Sequence, residues 1–392
     1  MPGDEALAAD LAAVGLPAAT AVEPLVFNPN NAVTGVVQRV HLADGSTVVH
    51  KVLRRDADGG VPHWGAGGHP QHWNHWRREA DAYRDGAVRA FEPHLRPPAL
   101  RGRRSDGDGT EVLFLEDVHG RTGADLGVAD IAAVARRLGR AQGGRPLEAA
   151  RGPMATTSRE WTTAYASSRP RGPAANSAAA WAHPVVTEGF GDSAEELRRG
   201  YDALMAEMPR WRRVLATCPR TACHLDLWPR NIVVPPEPSA TPVVFDWSFV
   251  GIGAVGEDPA NLVHSTMLEH LLEPGRFAEL DAAVWRSYSA GLRESGWPHD
   301  LRWARLGMCA AVVRFAWLPA AMVSAAEHRG PTGYAGRPGH DLREVFARRR
   351  TVLEAMLGQL GEARELAADL GVDGDVGAYG DSAPEVGEPG LS

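Results

Sequence analysis

A change of pattern near residue 118 constrains the fold of this chain most. Before it, alternating apolar and polar residues predict strands at 35–42, 47–53 and 111–118. After it, the apolar spacing is mostly helical as far as residue 369. Strands followed by helices indicate an α+β protein, so we expect a small β-rich lobe over 1–118 and a large helical lobe over 119–369.

Composition limits the class of protein. The 392 residues have a net charge of −8, which argues against a nucleic-acid binder. The N-terminus lacks the basic and apolar parts of a signal peptide, and three cysteines without CxxC spacing indicate neither disulfides nor zinc, so we expect a cytoplasmic protein. The apolar stretch 307–326 contains Arg314 and Pro319, which favours a buried helix over a membrane span. Residues 370–392 are acidic and rich in turn formers, which predicts a disordered tail.

The only lysine of the chain lies on the second predicted strand. Lys51 is one of 41 lysine and arginine residues, and an Asp-Gly pair at 44–45 predicts a hairpin between the first two strands. Period-two alternation places Lys51 on the same face as Val49, among apolar neighbours. A cation on such an inner face needs an anionic partner.

Glu79 is the candidate partner of this cation. It borders the apolar stripe of a helix predicted over 72–88, which is unusual for a carboxylate. We expect it to pair with Lys51, and pairing with Arg78 or Arg84 on its own helix is the alternative.

Four polar residues in the second half of the chain form a candidate site for phosphate chemistry. His224, Asp226 and Asn231 precede one short apolar run and Asp246 closes the next, with a Pro-rich turn between the runs. A hairpin there would bring Asn231 and Asp246 together, and their oxygens suit Mg²⁺. Phosphoryl transfer needs metal-bridged phosphates, a cation such as Lys51 and a carboxylate such as Asp226 for the attacking hydroxyl.

The segments HLDLWPRN at 224–231 and FDWS at 245–248 resemble the H-G-D-x-x-x-x-N and I-D-W-E motifs of the aminoglycoside phosphotransferase and choline kinase-like family. The resemblance, over about residues 20–330, implies a bilobal protein-kinase-like fold and transfer of the γ-phosphoryl group of ATP to a small hydroxylated molecule. It makes Asp226 the catalytic base. His224 of the same loop is the second candidate catalytic residue, and a structural hydrogen-bonding role is favoured for it because Asp226 already serves as the base. It also implies that Mg²⁺ is bound by Asn231 and Asp246.

The same resemblance assigns residues to the nucleotide. Lys51 would contact the α- and β-phosphates with Glu79 as its partner. Val49, two residues earlier on the same strand face, would also lie at the nucleotide. Glu116 and Val118 take the place of the connector whose backbone binds adenine. No glycine-rich G-x-G-x-x-G loop precedes the lysine, and three residues of the segment FNPNNAVTG would cover the phosphates instead: Asn30, Asn31 and Gly35.

Residues near the site motifs carry further expectations. Asp258 and Pro259 are expected as the N-cap and first residue of a helix. Trp228 and Trp247 could either support the catalytic loop or line an acceptor pocket.

Two alternative functions are a catalytically weak nucleotide-binding accessory protein of a biosynthetic pathway and a metal-dependent phosphoester hydrolase.

Overall fold

Five antiparallel strands in the first third of the chain form one sheet. The computed structural model describes residues 2–26, 28, 31–55, 64–107, 109–144, 154, 157–169, 177–237, 239–328 and 341–372. The strands are β1 (Ala19–Pro24), β2 (Thr34–Leu42), β3 (Thr47–Arg54), β4 (Leu100–Ser105) and β5 (Thr110–Glu116), in the order β1-β2-β3-β5-β4. Asn30, and the predicted disordered tail from residue 373 onward, lie outside the described residues.

The predicted hairpin between β2 and β3 is confirmed. The Leu42 amide donates to the Ser46 carbonyl (2.8 Å), and the Asp44 carboxylate accepts from the Ser46 amide (2.9 Å). Strand β3 pairs with β2 on one side and with β5 on the other, which places Lys51 between Val37 and Leu113. Lys51 therefore lies on a central strand, where its aliphatic stem is covered.

The segment GRRSDGDGT at 102–110 is rich in glycine and polar residues and predicts a flexible turn. This prediction is wrong in its first half, because strand β4 extends to Ser105. This edge strand has no apolar alternation, and it is stabilised by charge instead. Arg103 Nη2 lies 2.9 Å from Glu111 Oε2, and Ser105 Oγ donates to Glu111 Oε1 (2.9 Å). Edge strands accept such polar residues because only one side of the strand pairs within the sheet.

Helices cover both faces of the sheet. Helix α1 (Pro2–Ala13) buries Leu7 and Leu11 on one face, and helix α2 (Arg78–Asp85) buries Ala80 on the other. Helix α2 begins later than predicted, because the carbonyls of Pro70 and Trp73 accept hydrogen bonds from the Arg78 guanidinium rather than from helical amides (2.9 and 2.7 Å).

The rest of the chain is mostly helical. Its helices are α3 (Val128–Gly143), α4 (Trp161–Ser168), α5 (Ala178–Trp181), α6 (Pro184–Phe190), α7 (Ala194–Ala206), α8 (Met208–Thr217), α9 (Glu257–Leu268), α10 (Phe277–Glu294), α11 (Leu301–Ala310), α12 (Leu318–His328) and α13 (Leu342–Asp369). Short 3₁₀ helices occur at Ala87–Arg89, Gly123–Asp125, Gly191–Ser193, Pro229–Asn231, Trp247–Phe249, Pro274–Arg276 and Ala311–Phe315. The α+β class and the division into a sheet lobe and a helical lobe are thus as expected.

Glycines let helices α3 and α10 pack closely in the helical lobe. A Cβ atom at Gly139 would lie 2.2 Å from the Tyr288 carbonyl oxygen, and one at Gly291 would lie 2.1 Å from the Arg136 carbonyl oxygen. Both distances are far below van der Waals contact, so any larger residue would push the two helices apart.

Two small antiparallel sheets among the described residues, one of three strands and one of two, carry the polar motifs. They comprise β6 (Arg121–Thr122), β7 (Arg220–Cys223), β8 (Ile232–Val234), β9 (Val243–Val244) and β10 (Gly251–Ala254). The predicted hairpin is the β8–β9 pair, in which Ile232 faces Val244. Strand β7, which precedes His224, pairs with β10, which leads into helix α9.

One helical stretch of the described residues, Leu301–Ala326, is long and apolar enough to cross a membrane. Its most apolar 18-residue window is 100% buried inside the protein. The prediction of a buried segment there is therefore confirmed, although the segment is two helices joined by the 3₁₀ turn Ala311–Phe315 rather than one.

Candidate active site

Lys51 lies between two carboxylates contributed by different parts of the chain. Its Nζ atom is 2.5 Å from Glu79 Oε2 and 2.9 Å from Asp246 Oδ1. The side chains of Lys51 and Glu79 are 9% and 1% exposed, whereas that of Asp246 is 39% exposed. The predicted Lys51–Glu79 ion pair is present, and the contact with Asp246 links the sheet lobe to the helical lobe.

The electrostatics of this cluster follow from burial and proximity. Burial acts to lower the pKa of Lys51, but Asp246 and Glu79 outweigh it, so the pKa lies above its ordinary value. Burial raises the pKa of Glu79 against the opposing effect of Lys51. Burial also acts to raise the pKa of Asp246, but Lys51 outweighs it and the pKa falls below the ordinary range. Lys51 is therefore a permanent cation here.

Backbone geometry aims Asp246 into the site. Its φ and ψ are 62° and 65°, the left-handed region that Asp tolerates better than most residues. Ser248 Oγ donates to Asp246 Oδ1 (2.7 Å) and is also within 3.2 Å of Glu79 Oε2, while the Trp247 amide donates to Glu79 Oε1 (3.3 Å). The turn after β9 thereby fixes both carboxylates that face Lys51.

Asp226 and Asn231, which lie between strands β7 and β8, are in direct contact. Asn231 Nδ2 donates to the Asp226 carbonyl oxygen (2.9 Å) and to Asp226 Oδ2 (3.0 Å). Phe245 joins this loop to Asp246, since its amide donates to the Asn231 carbonyl (3.1 Å) and its carbonyl lies 3.1 Å from His224 Nε2. The hairpin thus brings the Asn231 and Asp246 ends together, as expected.

His224 uses both ring nitrogens inside the protein. Nδ1 accepts from the Asp226 amide (3.2 Å), so Nε2 is the nitrogen that donates to the Phe245 carbonyl. Burial lowers the pKa of His224 to about 4. A neutral ring with both nitrogens engaged favours a structural role for His224 over a catalytic one.

Asp258 has a different role from the predicted N-cap. Helix α9 begins at Glu257 after Gly256, and the Asp258 carboxylate accepts from the amides of His224 (2.9 Å) and Leu225 (2.8 Å). Burial raises the pKa of Asp258 to about 7, although these amides act to lower it. The carboxylate holds Leu225 at φ 64°, where the family motif has glycine.

Arg314 is the residue of this region that sequence reasoning missed as a site component. Its Nη2 donates to Asp226 Oδ1 (2.7 Å) from the 3₁₀ turn between α11 and α12. Burial raises the pKa of Asp226, and Arg314 opposes that shift. The only signal in the sequence was a charge inside an otherwise apolar stretch.

The residues expected over the phosphates have local partners. Asn31 Oδ1 accepts from the Val33 amide and from Asn74 Nδ2, both at 3.1 Å. Gly35 lies against the Arg54 side chain, since a Cβ at this position would be 3.3 Å from Arg54 Cδ. The Asn31 side chain thus stabilises its own loop. Among the described residues, no hydrogen bond joins it to the Lys51 cluster.

The connector residues differ in how their amides are used. The Glu116 amide donates to the Ala99 carbonyl (2.8 Å), and its carboxylate binds Arg96 through two hydrogen bonds (2.7 and 2.9 Å). Within the described residues, the Val118 amide makes no hydrogen bond. Val49 pairs with Leu115 in the sheet and is half-buried. Of the two predicted adenine contacts, only Val118 has a free amide.

Two oxygens are available to a metal ion. Asp246 Oδ2 and Asn231 Oδ1 accept no hydrogen bond from any described residue, whereas the other polar atom of each side chain is engaged. No cluster of three or more His, Cys, Asp or Glu with metal-binding geometry occurs among the described residues. Two free oxygens fit Mg²⁺, which takes few protein ligands and completes its shell with water and phosphates.

Trp247 is buried and supports the loop, whereas Trp228 is partly exposed. The Trp247 ring is buried against Phe91 and His224 at centroid distances of 5.5 and 4.8 Å, and its Nε1 donates to the Val244 carbonyl (2.8 Å). Trp228 is half-buried beneath the Arg230 guanidinium, 5.7 Å from its ring centroid.

Solved structures similar to this chain include three antibiotic kinases. A macrolide 2′-phosphotransferase from Brachybacterium faecium is 16% identical, with 85% of this chain and 100% of that chain covered and a TM-score of 0.44. An aminoglycoside phosphotransferase from Streptomyces rimosus, in complex with ADP and streptomycin, is 17% identical, with coverage of 82% and 99% and a TM-score of 0.46. An amicoumacin kinase in complex with AMP-PNP and Ca²⁺ is 14% identical, with coverage of 86% and 91% and a TM-score of 0.48.

The assignment of the family comes from the sequence. No curated protein matches the chain. The model of the phosphotransferase enzyme family, however, matches residues 62–298, which is more than half of the 392 residues and includes the whole segment from His224 to Asp246. The chain therefore belongs to the phosphotransferase enzyme family and is a small-molecule kinase.

Proposed function

We propose that this protein transfers the γ-phosphoryl group of ATP to a hydroxyl group of a small molecule, with Asp226 as the base. The observation that carries the proposal is the Lys51 ammonium, held between Glu79 and Asp246 at 2.5 and 2.9 Å. Lys51 precedes the segment matched by the family model, so its assignment rests on this geometry. The same proposal takes 1–118 as the nucleotide-binding lobe and 119–369 as the helical lobe with the acceptor pocket.

Each residue has a separate task in this mechanism. Lys51 contacts the phosphates that are not transferred, and Glu79 holds its ammonium in position. Asp226 accepts the proton of the acceptor hydroxyl as the new oxygen–phosphorus bond forms and the bond to ADP breaks. Asn231 and Asp246 would hold Mg²⁺, which when bound neutralises phosphate charge.

The contacts of Asp226 support its role as the base. Asn231 donates to Oδ2 and Arg314 donates to Oδ1, so the plane of the carboxylate is fixed before any substrate binds. A positioned carboxylate contributes about 10²- to 10⁴-fold to a proton transfer. For adenine, the free Val118 amide supports a contact, whereas Glu116 would have to use its carbonyl.

The test is an ATP-consumption assay with a panel of hydroxylated acceptors, which includes aminoglycosides, macrolides, sugars and amino alcohols, with mass spectrometry of the product. Asp226→Asn should lower kcat by about 10²- to 10⁴-fold while binding of Mg·ATP, measured by calorimetry, stays within about twofold. Asp125→Asn, an exposed carboxylate of the same lobe, is the matched control and should retain full activity.

Two results would contradict the proposal. Full turnover by Asp226→Asn would exclude this residue as the base. Thermal stabilisation by Mg·ATP without phosphorylation of any acceptor would instead favour the catalytically weak accessory protein. Asp246→Ala tests the assignment of the metal ligands separately from that of the base, because it should weaken Mg·ATP binding itself.

A further inference from the structure

Arg314 is a buried cation in the one helical stretch of the described residues that is long and apolar enough to cross a membrane. It is 6% exposed, and the surrounding segment Leu301–Ala326 is otherwise apolar enough to resemble a membrane span. A buried charge is costly unless it is paired and hydrogen-bonded, so its partners explain its presence.

Those partners are two adjacent residues of the catalytic loop. Nη1 donates to the Leu225 carbonyl (2.5 Å), and Nη2 donates to Asp226 Oδ1 (2.7 Å). The second carboxylate oxygen of Asp226 accepts from Asn231 (3.0 Å). One donor on each oxygen prevents rotation of the carboxylate and sets the direction of its remaining lone pairs.

The guanidinium itself is held by aromatic rings of helix α4. Its central carbon lies 4.6 Å from the Trp161 ring centroid and 5.4 Å from that of Tyr165. The Arg314 carbonyl also accepts from Trp317 Nε1 (2.9 Å), which fixes the backbone of the 3₁₀ turn. The aromatic rings and the fixed backbone thus hold the Arg314 guanidinium in one orientation before substrate binds. Such pre-organisation is expected of a guanidinium that orients a carboxylate rather than only neutralising its charge.

On the basis of the function proposed above, we propose that Arg314 is a positioning residue that aligns the Asp226 carboxylate for the acceptor hydroxyl. It acts through Asp226, since its guanidinium donates to Asp226 and Leu225 and, among the described residues, makes no hydrogen bond to Lys51, Asn231 or Asp246. Its loss should therefore lower kcat and leave nucleotide binding unchanged, since displacement of a catalytic group by about 1 Å can cost about 100-fold.

The experiment compares Arg314→Met, which keeps length without charge, with Arg314→Lys, which keeps charge without the fork. Both are assayed with the panel acceptor that the wild-type enzyme phosphorylates. We expect kcat to fall about 100-fold in Arg314→Met and about tenfold in Arg314→Lys, with KM for ATP within about twofold of wild type. Arg349→Met is the matched control, because Arg349 is 2% exposed and donates to the Leu268 carbonyl away from the catalytic loop.

The double variant Asp226→Asn/Arg314→Met isolates the route of action. If Arg314 acts through Asp226, the double variant should be no slower than Asp226→Asn alone. Independent, multiplicative losses would overturn the proposal, because Arg314 would then affect catalysis by a route other than Asp226. Unchanged kcat in Arg314→Met would overturn it as well. A wild-type enzyme that phosphorylates no acceptor would refute the proposed function itself, and this inference with it.

Discussion

Replacement of the only lysine by arginine, Lys51→Arg, should impair activity strongly although it conserves charge. Nζ is already 2.5 Å from Glu79 and 2.9 Å from Asp246, so a longer, forked guanidinium must displace one of these carboxylates. Glu79 cannot yield easily, because it is 1% exposed, accepts from the Trp247 amide and lies 3.2 Å from Ser248 Oγ. Overpacking of this kind costs about 1–3 kcal/mol.

That free energy converts into a measurable loss. The free variant can relieve this strain by moving a carboxylate, whereas the transition state requires the wild-type geometry, so the strain opposes catalysis. At 1.36 kcal/mol for each factor of ten, kcat/KM for ATP should fall about 5- to 150-fold. Initial rates of ADP release at saturating acceptor give this quantity directly. Arg101→Lys, on the exposed face of edge strand β4, is the reciprocal control and should be fully active. Activity of Lys51→Arg within about twofold of wild type would refute the reasoning that the site requires a slim cation.

Two further predictions concern stability. Leu225→Gly relieves the left-handed conformation at φ 64°, worth about 1–2 kcal/mol, but removes a side chain that is 2% exposed, worth about 2–5 kcal/mol. Urea unfolding should show a net loss of about 2 kcal/mol, and a stabilised variant would mean that strain outweighs packing. His264 is buried, with Nε2 2.6 Å from Gln359 Oε1, and burial lowers its pKa from 6.5 to about 4. The contribution of neutral His264 to the free energy of unfolding is therefore complete above pH 6.5 and is lost as the pH falls toward 4. His264→Gln should reduce that slope by up to about 1.4 kcal/mol per pH unit, and an unchanged slope would show that other groups cause the acid sensitivity.

Local patterns predicted the elements that depend on neighbours in sequence. The β2–β3 hairpin follows from an Asp-Gly turn between alternating residues, and the β8–β9 hairpin follows from two apolar runs around a Pro-rich turn. Helix α1 and strand β4 were not predicted. Strand β4 has no apolar alternation and depends on Glu111 of the neighbouring strand for its stability.

The candidate site likewise has features that the sequence predicts and features that depend on contacts between distant residues. The order and spacing of Lys51, Glu79, Asp226, Asn231 and Asp246 can be read from the sequence, because each residue type suits one requirement of phosphoryl transfer. Asp258 was assigned to a helix cap, since its partners at 224 and 225 are 34 and 33 residues away and leave no local signature. The adenine connector also needed the structure, because only the sheet pairing shows that the Glu116 amide is already used.

The sequence by itself determined the family, the two-part organisation and the residue types available for the chemistry. Only the tertiary structure decided how the proposed base is oriented. Arg314 stands 88 residues after Asp226 in an apolar stretch where sequence periodicity reports burial and nothing more. A hydrogen bond acts over about 3 Å of space whatever the separation along the chain, so folding alone could bring that guanidinium to that carboxylate.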